Sequence, residues 1–425
     1  MTDLPQDVDV LVVGAGLAGL HTATQLGRCG WDVLVVDRRA SLTTAIRTTG
    51  IFVRKTLDDF PLPEECLGPP IRRVVLYPPG RQRPVTLDSP RDEFRVGDMG
   101  RLYLAAARTA AESGVRIALG TRYTGRGLST ALLHGPDGPA RVRARFLVGA
   151  DGARSRVAHD LALDRNHRLL IGAEEVFPVP RSEQSPAFHC VLDPSLAPGY
   201  LAWVVNDGRH AHVGVAGHAD RFPDGMRAAL QRFRASAPGL PEEGCPDDVE
   251  RRGGPIPVGG LLRRISCADG LLVGDAAGAV SPLTAGGLDP CLRLSEHAAA
   301  VLDDALRTGR REALERYDGA SLRAGFRGRL LLRRALTQVR SPAVATAGFT
   351  LLRTPVGRAV TRGILFGDRS FPAPRAAQVR RRPRTEAASG SSALDGARRR
   401  GDHEVAPDAQ TPRQTGAEDR GVDGR

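Results

Sequence analysis

The chain has 425 residues, more than one typical core holds, so its length predicts two domains with appendages. A net charge of +12 and a pI near 10.3 raise nucleic acid as a partner. Against that, Lys55 is the only lysine, the arginines are spread along the chain, and no helix-turn-helix, zinc-finger or RNA-recognition pattern appears.

The cysteines (Cys29, Cys66, Cys190, Cys245, Cys267, Cys291) form no C-x-x-C pair and no cluster with histidine, which argues against a disulfide framework and a metal site. No basic n-region precedes an apolar run at the N-terminus, and no uncharged apolar stretch approaches bilayer length. A cytoplasmic location follows as the expectation, with attraction to anionic headgroups on the inner membrane face as a second reading of the arginines.

In chain order, Val8–Val13 reads as a strand, Gly14-Ala15-Gly16-Leu17-Ala18-Gly19 as a turn, Leu20–Arg28 as a helix, and Val33–Val36 as a strand ending in Asp37. This is a dinucleotide fingerprint in its full setting. Gly14 allows the tight turn, Gly16 lets a pyrophosphate approach the backbone, and Gly19 lets the helix pack closely. The helix N-terminus offers free N–H groups to phosphate, and Asp37 is placed to accept from an adenosine ribose.

Residues Ile71–Leu87 read as a hairpin that opens a second domain, turning at Pro78-Pro79-Gly80. Leu102–Ser113 reads as a helix capped by Gly114, followed by a strand Val115–Leu119 and Gly120-Thr121. A hairpin-like stretch from Leu128 to Arg145 runs into Phe146-Leu147-Val148 and an acidic turn, Gly149-Ala150-Asp151-Gly152. Arg168–Val215 is strand-like and Gly225–Ala235 helical, which predicts an antiparallel sheet with a covering helix.

A strand Leu271-Leu272-Val273 then leads to Gly274-Asp275-Ala276-Ala277-Gly278, and Gly286-Gly287 opens a helix reaching about Leu306, with Pro290 in its first turn. Asp275 ends a buried strand at the carboxyl edge of the sheet, where ligands of open α/β sheets bind, and a polyol would satisfy it. Two glycine N–H groups at a helix N-terminus suit an anionic ring edge. Helices follow over about Glu312–Val339, Ala343–Leu352 and Val356–Phe366, expected to pack on the nucleotide domain, with a membrane surface as the second reading. The tail from about Pro372 has almost no large apolar residues and reads as disordered.

The three motifs, in this order and spacing, resemble the flavoprotein hydroxylases of the para-hydroxybenzoate hydroxylase superfamily over about Val8–Leu306. Gly274–Gly287, with Gly199–Val205 and His212–Val215, looks most like the geranylgeranyl reductase branch. The resemblance implies an α/β fold: a Rossmann-type, glutathione reductase-like FAD-binding domain (1–60, 95–165, 250–310) with an inserted antiparallel-sheet substrate domain (61–94, 166–249). C-terminal helices (311–371) and the tail (372–425) complete the chain.

It also implies roles. Gly14, Ala15, Gly16 and Gly19 would cradle the FAD pyrophosphate, with Asp37 on the ribose, Arg38 and Arg101 on the adenosine–phosphate half and Thr121 near the adenine. Gly274 and Asp275 would hold the ribityl side, and Pro282, Gly286, Gly287 and Leu288 would line the isoalloxazine. Asp151 would couple the FAD site to an approaching NADPH or NADH, the transient electron donor. Arg47, Thr49, Tyr200 and Trp203 are catalytic candidates. His189, His210 and His212 are further substrate-side candidates, although alternating strand histidines are usually solvated.

The sequence departs from the reductases at Arg47-Thr48-Thr49-Gly50, where a cysteine often stands, and at Val205-Asn206-Asp207. A Trp-x-Trp-x-Ile-Pro element is absent, which argues against halogenation. Three expectations result: reduction of prenyl or lipid double bonds on an apolar small molecule, hydroxylation of an aromatic or polyketide ring, or non-catalytic flavin or lipid binding.

Overall fold

Two large sheets dominate the described residues, and the sequence of their strands explains which is which. Asp7–Val13 and Val33–Asp37 are almost continuously apolar, as strands covered on both faces must be. They pair in parallel at the centre of the first sheet. Arg116–Leu119 continues it in parallel beyond Val33–Asp37. Gly138–Gly149 and then Gly270–Leu272 continue it beyond Asp7–Val13. Helix Leu17–Arg28 crosses this sheet and packs against helices Met99–Glu112 and Leu288–Thr308. The computed structural model describes residues 4–127, 130–180, 185–240 and 249–367, all within one compact unit of residues 1–382. The expected disordered tail (372–425) and Leu128 lie outside the described residues.

The second sheet runs in the order Glu250–Pro257, Leu169–Pro178, His210–Gly217, Ala202–Asn206, Ala187–Val191, Arg73–Tyr77, Val85–Asp88. Every neighbouring pair is antiparallel except Ala187–Val191 beside Arg73–Tyr77, which run parallel. The expected hairpin therefore does join the middle block. Helix Gly225–Arg234 covers this sheet, burying Leu230 and Phe233 among its strands.

Four differences from the sequence expectations have physical causes. Glu250–Pro257, grouped with the nucleotide domain from sequence, pairs instead with Leu169–Pro178. The register sets Arg251 opposite Glu175 and Arg252 opposite Glu174, so cross-strand charge favours it. Two short strands, Ile51–Val53 and Phe94–Val96, form a small sheet of their own, too brief to leave a period in the sequence. The helix expected over Glu312–Val339 is broken at Gly319, which has φ of +65° and whose Cβ would meet Leu261 Cδ2 at 2.2 Å.

Finally, the last two helices pack mainly on the second sheet rather than on the nucleotide-domain core. Phe349 and Phe366 join the apolar cluster of the second sheet, and Phe366 lies 6.0 Å from Phe94, ring to ring. Arg353 and Arg362 donate to the backbone carbonyls of Arg83 and Asp88 in the sheet's edge hairpin. Helix Ala320–Gln338 bridges the two regions: Leu322 and Phe326 sit in the nucleotide-domain core, while Arg221 beside the second sheet donates to Thr337 O.

In the second sheet the Trp203 indole lies flat over Gly214. A Cβ there would stand 2.1 Å from Trp203 Cζ2. Gly214→Ala should cost roughly 1–3 kcal/mol by overpacking, read as a lower urea midpoint, and should blue-shift or broaden the Trp203 emission; an unchanged midpoint would show that the indole has room to move.

Candidate functional site

The site begins where chain segments far apart in sequence come closest. Gly14 has φ of +110°, and a Cβ on it would lie 2.3 Å from Ala150 O. A Cβ on Gly19 would lie 1.9 Å from Gly14 O and 3.1 Å from Ala150 Cβ. Gly274, at φ of +57°, packs on Ala18, where its Cβ would approach to 2.8 Å. The first fingerprint, the acidic turn and the Gly274-Asp275 stretch thus meet around the start of helix Leu17–Arg28. Gly16 is the exception: a Cβ on it would touch nothing within 4 Å, so its face is open to a ligand.

That helix has no side-chain cap on its N-terminus, which leaves its first N–H groups for an anion. Asp37 sits beside it. Its carboxylate accepts from Ala15 N at 2.8 Å and from Arg39 N and Nε at 2.8 and 3.1 Å. Burial would raise the Asp37 carboxyl, but Arg39 and the Ala15 N–H overcome it and hold the group below its usual range. Arg39, rather than Arg38, is the cation at this acid, and it lies 5.6 Å from the Tyr103 ring. Arg38 is exposed, as is Arg101 in the first turn of helix Met99–Glu112, and both are free to swing towards a ligand at this edge. Thr121 is buried next to Asp37 and donates its N–H to Asp37 O.

Asp275 has a different environment. Burial pushes its carboxyl up to about 6, and nothing else acts on it. A carboxylate largely withdrawn from water and without a donor is costly, and the vicinal hydroxyls of a polyol would supply donors. Gly287 lies against it, since a Cβ there would stand 3.5 Å from Asp275 Oδ1. Gly287 begins helix Leu288–Thr308, again without a side-chain cap. Gly286 O is tied to Ser281 N, which shapes the Ser281–Gly287 loop and leaves Gly286 exposed, while Pro282 is buried and Leu288 half-buried. An open glycine face, two uncapped helix starts and a half-buried carboxylate with no hydrogen-bond donor among the described residues together fit FAD.

Asp151 is hydrogen-bonded within its own turn. Its Oδ1 accepts from Ser155 Oγ at 2.6 Å and its Oδ2 from Arg156 N at 2.7 Å, so the carboxylate is spent on the start of the short helix Arg156–Asp160. Burial raises its carboxyl against those bonds.

On the substrate side the structure brings Thr49 and Trp203 together and leaves Arg47 apart. Thr49 Oγ1 and Trp203 Nε1 both donate to Glu174 Oε1, at 2.6 and 3.1 Å. Behind Glu174 stands His212, with Nδ1 3.8 Å from Glu174 Oε1 and Nε2 3.2 Å from Asp207 Oδ2. His212 is 1% exposed, so the expectation of a solvated strand histidine is corrected. Burial would lower it, but Asp207 and Glu174 raise it to about 9. His212 in turn helps hold Glu174 and Asp207 below their usual range against their own burial. Tyr200 points elsewhere, its hydroxyl donating to Thr284 O at 2.6 Å in the glycine loop. Arg47 is exposed, with Cδ over Gly254. His189 is paired with the Tyr77 hydroxyl, and His210 with Asp207.

Glu174, Asp207 and Arg39 were missed from sequence. Glu174-Glu175 in mid-strand was the available signal: neighbours on a strand face opposite ways, so one of two adjacent acids must face the core and needs a partner.

With this geometry established, known proteins give it context. The FAD binding domain family matches residues 7–61 and 99–204. A digeranylgeranylglycerophospholipid reductase of Methanopyrus kandleri is 31% identical over 323 residues, 73% of this chain and 85% of that protein. A namesake in Methanoculleus marisnigri is 28% identical over 348 residues, 78% of this chain and 85% of that protein. Among solved structures, a geranylgeranyl bacteriochlorophyll reductase-like protein of Thermoplasma acidophilum superposes with a TM-score of 0.74 at 18% identity, covering 85% of this chain and 97% of that one. The p-nitrophenol 4-monooxygenase of Pseudomonas putida gives 0.59 at 22% identity, covering 85% and 94%, and shares the fold. Sequence kinship over most of both chains, on a fold whose glycines and unpartnered acid suit the cofactor, makes this an FAD-dependent oxidoreductase of the digeranylgeranylglycerophospholipid reductase family.

Proposed function

We propose that this enzyme reduces isolated double bonds in the prenyl chains of a lipid, drawing electrons from NADPH or NADH, and that it meets its substrate at a membrane surface. The observation that carries this is the face made by the C-terminal helices. Residues 319–367 hold nine arginines and no aspartate or glutamate. Among the described residues, six of the seven exposed large apolar residues, Leu331, Leu332, Val344, Leu351, Val356 and Val360, lie on these helices. No helix among the described residues is long and apolar enough to cross a membrane. Apolar side chains ringed by arginine suit insertion into the headgroup layer of an anionic leaflet. The same helices pack on the second sheet, whose apolar cluster reaches Ala285 in the glycine loop, so an apolar chain would have a protein path towards the flavin edge.

Bound FAD supplies the hydride for the alkene. The chain's own residues do the rest. Backbone N–H groups after Gly16 would hold the pyrophosphate, and Asp37 and Asp275 would orient the ribose and ribityl hydroxyls. Uncapped N–H groups from Gly287 onward would favour negative charge at the flavin ring edge. Because His212 keeps a proton between Asp207 and Glu174, Glu174 stays a carboxylate. It acts as an acceptor that fixes Thr49 and Trp203 and does not itself donate a proton.

The direct test is FAD-loaded protein with NADPH or NADH and a digeranylgeranyl glycerophospholipid in anionic vesicles. Saturation of the chains, seen by mass increments of 2 Da per double bond, is expected; oxygen-dependent gain of 16 Da on an aromatic substrate with no alkene reduction would instead favour hydroxylation. Replacing Leu351 and Val356 by serine should lower activity on vesicles several-fold while leaving activity on detergent-dispersed substrate intact.

Asp275→Asn should weaken FAD binding roughly tenfold to a hundredfold, the loss of hydrogen bonds to a charged acceptor, measured by flavin fluorescence titration. In the native chain FAD affinity should fall as pH drops below about 6, because hydroxyl donors favour the ionised form. The variant should lack that fall.

His212 sets a second pH window. Its folded value is raised from 6.5 to about 9, so its stabilising contribution is complete below pH 6.5 and is lost as pH rises through about 9. Urea midpoints of the native chain should decline across that interval, and those of His212→Gln should stay flat.

A further inference from the structure

We propose that Arg333 and His218, meeting over Gly199, form a buried oxyanion site that takes a phosphate group. Arg333 is 5% exposed, and its Nε, Nη1 and Nη2 are all buried without a hydrogen-bond partner. A guanidinium carries five N–H donors in a fixed fork that matches phosphate or carboxylate oxygens. Among the described residues the fork is met only by the Tyr200 ring, 5.3 Å away, whose hydroxyl is already committed to Thr284 O. No carboxylate acts on Arg333, and burial lowers it.

A second orphan points to the same spot. His218 Nε2 is buried and unpartnered. A Cβ on Gly199 would lie 3.1 Å from His218 Nε2 and 3.9 Å from Arg333 Nη2, so both groups flank this glycine, which has φ of +76°. Burial, Arg221 and Arg333 all push His218 towards its neutral form, in which Nε2 can still donate to an oxyanion. The surroundings are cationic: Arg221 and Arg329 stand close by, and Asp220 is the acid that acts on His218.

The site has a place in the reaction. Arg329, one helical turn before Arg333, donates Nη1 to Ser281 Oγ at 2.9 Å. Tyr200 links the same space to Thr284. A phosphate held by Arg333 would therefore sit beside the Ser281–Gly287 loop, behind the arginine-rich face. That this phosphate is the headgroup of the lipid rests on the proposed reductase activity; binding of phosphate itself does not.

The experiment is calorimetric titration of the FAD-loaded full chain, in a buffer free of other oxyanions, with inorganic phosphate, geranyl phosphate and geraniol. Saturable phosphate binding is expected, weakened at least tenfold in both Arg333→Met and Arg333→Lys, the latter keeping the charge but losing the fork. In phosphate-free buffer Arg333→Met should melt at a temperature no lower than the native chain, since it removes an uncompensated charge. Geranyl phosphate binding at least tenfold tighter than inorganic phosphate assigns the site to the lipid headgroup, and equal affinities assign it to free phosphate. No saturable phosphate binding by the native chain, undiminished binding by Arg333→Lys, or geraniol binding as tightly as geranyl phosphate overturns the proposal. These readouts need no turnover, so they stand apart from any failure of the alkene assay.

Discussion

The backbone contact between Gly14 and Ala150 is the constraint on which the cofactor site depends. It brings the end of the first strand against the end of a strand more than a hundred residues later, closer than any side chain would permit. Gly19 and Gly274 add two more close approaches around the same helix start. Close packing at this junction aims the helix N-terminus and sets Asp37 and Asp275 at the carboxyl edge of the sheet. The glycines matter here for what they lack, and only Gly16 lacks a Cβ for the sake of space left open.

Charge handling separates the two halves of the molecule. At the nucleotide side, Asp37 is satisfied by Arg39 and backbone N–H, whereas Asp275 is desolvated and unmatched. In the second sheet, a buried His212 imidazolium stands in a line between two carboxylates, Asp207 and Glu174. That line holds Thr49, from the loop after the ribose acid, and Trp203, from the sheet, on one oxygen. It therefore ties the loop of one half to the sheet of the other. Arg333 is the counter-example, a buried charge for which the described residues provide no acid.

The C-terminal helices show how a bland composition acquires a use. As sequence, these apolar and arginine-rich helices point to packing on the nucleotide domain, with a membrane surface as the second reading. Packed on the second sheet, Phe349 and Phe366 become core, and the leftover leucines and valines form an outward patch with arginines around it. Neither the patch nor the Arg333 site exists in an isolated helix.

The sequence by itself determined the strand–turn–helix fingerprint, the acid at its end, the two later glycine motifs and the family. These are local patterns, in which residue type is dictated by backbone dihedral, by close approach or by the period of a strand buried on both faces. It also placed the edge hairpin in the substrate region. Only the tertiary structure decided that Asp151 accepts from the first N–H groups of a short helix, that Arg39 pairs with Asp37, that Glu250–Pro257 belongs to the second sheet, and that His212 is buried between two acids. The physical reason is common to all four. A charged side chain reads the same in sequence whether it is solvated, capping or paired, and its partner, often dozens to hundreds of residues away, is chosen by how the strands and helices dock.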